Sequence, residues 1–215
     1  MATLPSGTIM AVASSFAAAK TVTAISNASE AVVSCTAHGY SAGDIVQIYS
    51  GWGRLNRRAV KVKSPAADTF VAEGIDTTST EFFPAGSGIG TVRKVSTFTQ
   101  IPKYLNPSQS GGEPKNVTVR FMDEDTEQSL NDGFTAVAES FEIDADQFGS
   151  ASYLALRQLS EVQTDTILKK TLKNGATIYT PCKIALNENV KLSDGAIMTN
   201  VVSVNGNGRV TRYSA

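Results

Sequence analysis

A chain of 215 residues is long enough for one large β domain or two small ones, with a core that needs no cross-links. Its hydrophobic share of 41%, charged share of 18% and 7 prolines exclude a disordered or fibrous chain. A net charge of −1 argues against a protein that binds nucleic acid by neutralising many phosphates.

In chain order, residues 7–14 read as a first strand, and a Thr/Ala/Ser-rich stretch from Lys20 leads into a compact apolar run at 31–36. A turn follows at 38–44, where Gly39 and Gly43 suit a tight reversal, and then the β-branched strand 45–49. Residues 59–63 alternate strictly, which points Val60 and Val62 inward and the lysines to water. Residues 68–75 and 90–95 add two strands, with 82–88 as the loop between them. Residues 96–105 form another strand, broken by Pro102, which cannot donate to a ladder.

Residues 106–114 read as a mobile polar loop, after which 116–122 alternate, with Val117, Val119 and Phe121 on one face, and run into the acids Asp123, Glu124, Asp125 and Glu127. In 134–143, Val137, Phe141 and Ile143 oppose Ala136, Ala138, Ser140 and Glu142. Residues 150–162 are the one convincing helix: Tyr153, Leu156 and Leu159 recur every three residues, and Ser150 or Ser152 can cap it. Strand 165–172, the turn Lys173-Asn174-Gly175, read as type I′, and strand 177–186 make a hairpin. Strands 196–204 and 209–213 follow, joined by a second turn of the same chemistry at 205–208.

No run approaches the roughly 18 apolar residues of a membrane helix. The first 16 residues lack the basic start of a secretory signal, so the product is expected to begin in a cytoplasm. Cys35 and Cys182 sit far apart in apolar strands and read as free, buried small hydrophobes. Charge divides unevenly: residues 1–110 carry 9 Lys/Arg and 6 Asp/Glu, residues 111–215 carry 10 and 14, so the second half is acidic.

Catalytic material is thin. The single histidine, His38, reads as a turn residue, and with Cys35 and Cys182 it lacks the close-spaced ligand pair of a zinc site. Gly86-Ser87-Gly88-Ile89-Gly90 lacks the terminal Gly-Lys-Ser/Thr of a phosphate loop. Trp52 between two glycines could meet a sugar or a protein, but a buried anchor is the stronger reading. The acidic run 123–127 lacks a calcium loop's glycine and spacing and reads as a hairpin tip. Arg54, Arg57 and Arg58 read as a solvated basic loop. Glu139, Glu142 and Asp144 are the nearest to a hydrolytic acid cluster, yet strand alternation makes them a wall. No catalytic residue, metal or cofactor is expected.

Leu172-Lys173-Asn174-Gly175-Ala176-Thr177, the strand 183–186 and Asn207-Gly208-Arg209 follow a polar loop and one helix. In that order they resemble the tube-forming domain of the major tail tube proteins of long-tailed (siphovirus-type) bacteriophages. Residues 36–44 and 50–56 resemble a version of that family with extra strands inserted between its first two tube strands.

The resemblance implies a mainly β fold: a β-sandwich or partial barrel with one packed α-helix, whose inner sheet completes a β-barrel tube across subunits. Residues 1–20 and 96–215 would form the tube domain and 21–95 a small all-β insertion. It implies a structural virion protein that stacks as hexameric rings into the conduit for DNA ejection, not an enzyme. The segment 106–130 would stack rings, with Gln109, Gly111, Gly112, Glu113, Asp123, Glu124, Asp125 and Glu127 as its contact residues, ordering only on docking. Ala136, Ala138, Ser140 and Glu142 are candidates for the lumen, which an acidic character would keep from holding DNA. Further copies of itself, tape measure, terminator and baseplate or distal tail proteins are the implied partners, with DNA passing unbound and no membrane contact. The rival reading is a monomeric β-sandwich adhesin that recognises carbohydrate or a host protein near Trp52.

Overall fold

Alternating β-branched and aromatic residues favour pleated backbone, and strands dominate the structure, a computed structural model that describes residues 7–215. The expectations for residues 1–6, as a chain start without a signal and as tube domain, lie outside the described residues. In chain order the strands are β1 (Ile9–Phe16), β2 (Lys20–Val22), β3 (Ala24–Ile25), β4 (Val32–Ser34), β5 (Ile45–Ser50), β6 (Arg58–Lys63), β7 (Thr69–Ala72) and β8 (Gly90–Ile101). There follow β9 (Tyr104–Ser110), β10 (Pro114–Val119), β11 (Gln128–Phe134), β12 (Ala138–Asp144), helix α1 (Ala151–Val162), β13 (Thr166–Thr171), β14 (Thr177–Leu186), β15 (Thr199–Gly206) and β16 (Thr211–Tyr213). The fold is mainly β with one helix, as the sequence implies.

Fourteen strands join one antiparallel sheet, ordered β3-β4-β7-β6-β5-β8-β1-β13-β14-β15-β12-β9, with β2 beside β8 and β16 beside β14; β10 and β11 pair only with each other. The sheet curls back on itself, so that Tyr104 at the start of β9, the last strand in the order, donates its hydroxyl to the Thr8 carbonyl just before β1 at 2.7 Å. Apolar side chains gather in three clusters. One draws all its members from residues 22–92, around Trp52, Leu55 and Phe70. A second packs Tyr153, Leu156 and Leu159 of α1 against β1, β12, β13, β14 and β15. The third, with Ala13, Ile45, Ala59, Ile167, Tyr179 and Tyr213, lies between them. β6 serves two of these: Val60 and Val62 enter the first, Ala59 the third.

Helix α1 begins where expected. Ser150 is its N-cap, accepting from the Tyr153 N–H at 3.2 Å, and Gln163 closes it in the left-handed region with φ 52°. Both cysteines are free and buried.

Several local expectations are corrected. Residues 106–110 are not a mobile loop but the body of β9, paired to β12; Pro107 is tolerated because the register slips beside it, between Ser140 and Glu142. β11 went unread since only Leu130 and Phe134 break its polar sequence, and Phe134 belongs to it rather than to β12. Residues 90–101 form one strand, so the boundary at 95/96 falls inside β8. Asn174 does not take the positive φ that a type I′ turn requires; only Gly175 does, at 82°, and Leu172 and Ala176 close a three-residue loop. β15 starts at Thr199, and residues 205–208 are no reversal, since β15 and β16 do not pair with each other but lie end to end along β14. Pro181 falls where those partners meet, which is how a central strand accommodates a residue without an N–H.

Candidate assembly interface

Strand alternation decides what the curled sheet shows on the face away from the helix. In β12, Glu139, Phe141 and Ile143 are buried, which turns Ala138, Ser140 and Glu142 to the other side. Register extends that face across four strands: Ser108, Ser140, Ser203 and Ala185 form one row, and Ser110, Ala138, Asn205 and Lys183 the next. Ser108 and Ser140 hydroxyls are 2.8 Å apart. These two rows are small and polar apart from Lys183, and the next brings Leu105 and Val201 beside Glu142. Ala136 does not belong to it: it precedes β12 and lines a separate groove. Ser203, Asn205 and Ala185 escaped the sequence reading, although the alternation Val202, Ser203, Val204, Asn205 carries the signal.

Glu142 is the acid on this face. It accepts from Lys191 Nζ at 2.7 Å, Asn106 Nδ2 at 3.1 Å and Thr199 Oγ1 at 3.1 Å, and the lysine first, then the other donors, hold its carboxyl below the ordinary range. Glu139 faces the opposite way and is bound by Lys170 at 2.7 Å. Asp144 caps the short 3₁₀ turn that follows. Glu139 thus points away from the other two acids, and each of the three has a structural engagement.

The sheet leaves two backbone edges open. β9 pairs with β12 alone. β8 pairs with β5 only as far as Lys94, so residues 96–101 meet β1 on one side and no strand on the other among the described residues.

The β10–β11 hairpin is exposed nearly throughout, including Val117 and Leu130, directly opposite each other, and Phe121 and Met122 near its tip. Of the expected contact residues, Asp123, Glu124, Asp125 and Glu127 sit together at this tip, whereas Gly111, Gly112 and Glu113 lie at its base and Gln109 lies in β9 opposite Glu139. Gly111 has φ 77° and faces the Ala136 carbonyl so closely that no Cβ would fit. An isolated two-stranded hairpin is marginal in water, and one showing apolar side chains needs a partner.

The arginines are not a solvated loop. Arg57 pairs with Asp165 at 3.0 Å and Arg58 donates to Thr211 Oγ1 at 3.0 Å, joining residues 22–92 to the start of β13 and to β16, while Arg54 lies over the Phe82 ring. Burial pushes the Arg58 guanidinium below its ordinary pKa. Trp52 is 1% exposed, donates to the Pro84 carbonyl at 2.8 Å and meets Phe83 edge-on, so it cannot be the contact residue of a sugar site. His38 is buried between Tyr40 and Phe70, with Nε2 3.0 Å from the Thr69 carbonyl oxygen.

A one-helix β fold with open edges, an exposed polar face and a projecting hairpin leaves several surfaces available for contact with other chains, the pattern of a structural protein. The chain matches the family described as phage tail tube protein, TTP, over residues 50–215, and it belongs to that family. It is a structural protein of the virion tail tube. No curated protein matches it. Among solved structures it is similar to a chain from the tail of an empty GTA particle computed with helical refinement and C6 symmetry, at 13% identity and a TM-score of 0.43, covering 54% of this chain and 87% of that one. No described helix is long and apolar enough to cross a membrane.

Proposed function

We propose that the chain assembles as hexameric rings that stack into a tube, with β14, β15, β12 and β9 of each subunit lining a lumen through which DNA leaves the particle. The two open edges carry this reading: β9 and residues 96–101 of β8 each lack a strand on one side among the described residues. Joining one to the other between neighbours removes both edges at once. Seven strands, β8-β1-β13-β14-β15-β12-β9, separate the two edges in the sheet, so six joined copies exceed the roughly sixteen strands at which a closed barrel holds an aqueous channel. The row Ser108, Ser140, Ser203 and Ala185 presents DNA with no charged group, Lys191 is offset by Glu142, and Lys183 stands in the neighbouring row.

In this reading, residues 21–95 are an inserted subdomain, supported by a core cluster drawn entirely from residues 22–92. The β10–β11 hairpin joins one ring to the next, with Asp123, Glu124, Asp125 and Glu127 at the contact and Gln109, Gly111, Gly112 and Glu113 setting the angle of its base. The tube is assembled in the host cytoplasm, meets tape measure, terminator and distal tail proteins at its interior and ends, and performs no catalysis.

Negative-stain electron microscopy of the concentrated protein should show hollow tubes with six-fold end views. Thr135 N–H donates to the Glu113 carbonyl at 2.9 Å, so a short Gly-Ser link can replace residues 114–134 without moving the body. That variant should remain folded and fail to stack. Tubes of ordinary length from it would remove the hairpin from ring stacking.

A further inference from the structure

Three guanidiniums surround one groove without a carboxylate to meet them. The groove has a volume of about 1040 Å³ and runs between the turn before β6, the segment joining β15 to β16, and the base of the β10–β11 hairpin. Arg54, Arg57, Arg58 and Arg209 line it, and no acidic residue does. Asp165 neutralises Arg57. The other three have no ion-pair partner among the described residues: Arg54 is stacked on Phe82, Arg58 is bound to a hydroxyl, and Arg209 is exposed.

Elsewhere on the same chain lies the complementary deficit. Asp123, Glu124, Asp125 and Glu127 at the hairpin tip are all exposed and form no ion pair among the described residues; Glu124 accepts from the Gln128 side chain at 2.9 Å. Arg120 is the one cation beside them. Asn131, Gly133 and Phe134 at the hairpin base wall the groove, and the tip stands about six extended residues, or ~20 Å, further along. A chain's own tip is therefore carried away from its own groove. A second copy's tip is free to reach it.

We propose that the Arg54–Arg58–Arg209 groove is the receptor for the acidic hairpin tip of another copy of this chain. This rests on the reading that the hairpin joins subunits, and adds where it lands and by what chemistry. Arginine suits the task because its planar donors engage carboxylates in pairs. Groove and tip sit on one chain, so each contact leaves a fresh tip and a fresh groove exposed, and growth continues as a stack.

The test uses charge reversal on the full chain, with light scattering and electron microscopy as readouts. R54E/R209E spares the half-buried Arg58, and D123K/E124K/D125K reverses the tip. Each variant should keep the wild-type circular dichroism and raise the critical concentration for tubes at least about tenfold. Combining both sets in one chain should restore assembly, because the signs are again opposite. Wild-type assembly by R54E/R209E, or a combined variant no better than either parent, would overturn the receptor. A shorter deletion, in which a Gly-Ser link replaces residues 120–127 so that Asn131, Gly133 and Phe134 still wall the groove, separates the two claims: if it blocks stacking while R54E/R209E does not, the hairpin joins rings but docks elsewhere.

Discussion

Arg57 Nε lies 3.0 Å from Asp165 Oδ2, and this ion pair ties the turn before β6 to the start of β13 across 108 residues of sequence. Asp165 is a hub. Its carboxylate also accepts from Asn207 Nδ2 at 2.7 Å and the Tyr49 hydroxyl at 3.3 Å, while its carbonyl accepts from Arg93 at 2.7 Å. Asp165→Ala should lower the unfolding free energy by about 2 kcal/mol, a value tempered by the half-exposed Arg57. Urea denaturation would measure it, and a change under about 0.5 kcal/mol would mean that the apolar cluster alone holds the two regions together.

Trp52 fills the centre of the first core cluster, with Gly88 so close that an added Cβ would sit 3.0 Å from its ring. Trp52→Ala should cost about 3–5 kcal/mol. Trp52→Phe should cost less, losing the bond to Pro84 but keeping most of the volume. Equal losses for both in denaturant melts would make the hydrogen bond, not the packing, the main contribution.

Burial pushes the Cys182 thiol up to about 12 and raises Cys35 as well, so neither forms a thiolate at ordinary pH. A thiol-reactive dye should label neither in the native protein and both in guanidinium. Rapid native labelling of Cys182 would show that β14 opens locally.

Glu142 is more acidic folded than unfolded, because Lys191, Asn106 and Thr199 favour its charged form. Its stabilisation is therefore complete at neutral pH and is lost as pH falls through the carboxylate range, where the unfolded chain takes up the proton first. Glu142→Gln should melt below wild type at neutral pH and converge with it in acid. A melting difference that is constant with pH would rule out this linkage.

Much of the outline was legible before the structure. Strands with apolar alternation, such as 59–63 and 177–186, were readable because a half-buried pleat imposes a period of two. The α1 cap was legible for a similar reason: Ser150 needs only local chain to reach the Tyr153 N–H. β11 escaped because its exposed faces impose no such pattern. The turn at Asn174 was placed but mistyped, since its loop length is set by the register of β13 against β14 rather than by the dipeptide.

The arginines mark the boundary most clearly. From the sequence, Arg54, Arg57 and Arg58 are one polar cluster, because nothing local distinguishes them. Their fates depend on Phe82, Asp165 and Thr211, residues 28, 108 and 153 positions away in the chain. The sequence by itself determined a mainly β chain, one capped helix, two buried thiols, a buried tryptophan and an acidic hairpin tip, all governed by short-range periodicity and burial. Only the tertiary structure decided which strand edges stay open, that Ser108, Ser140, Ser203 and Ala185 share a row, and that arginines far apart in sequence surround one groove. Those relationships arise from register between distant strands, which no local pattern encodes.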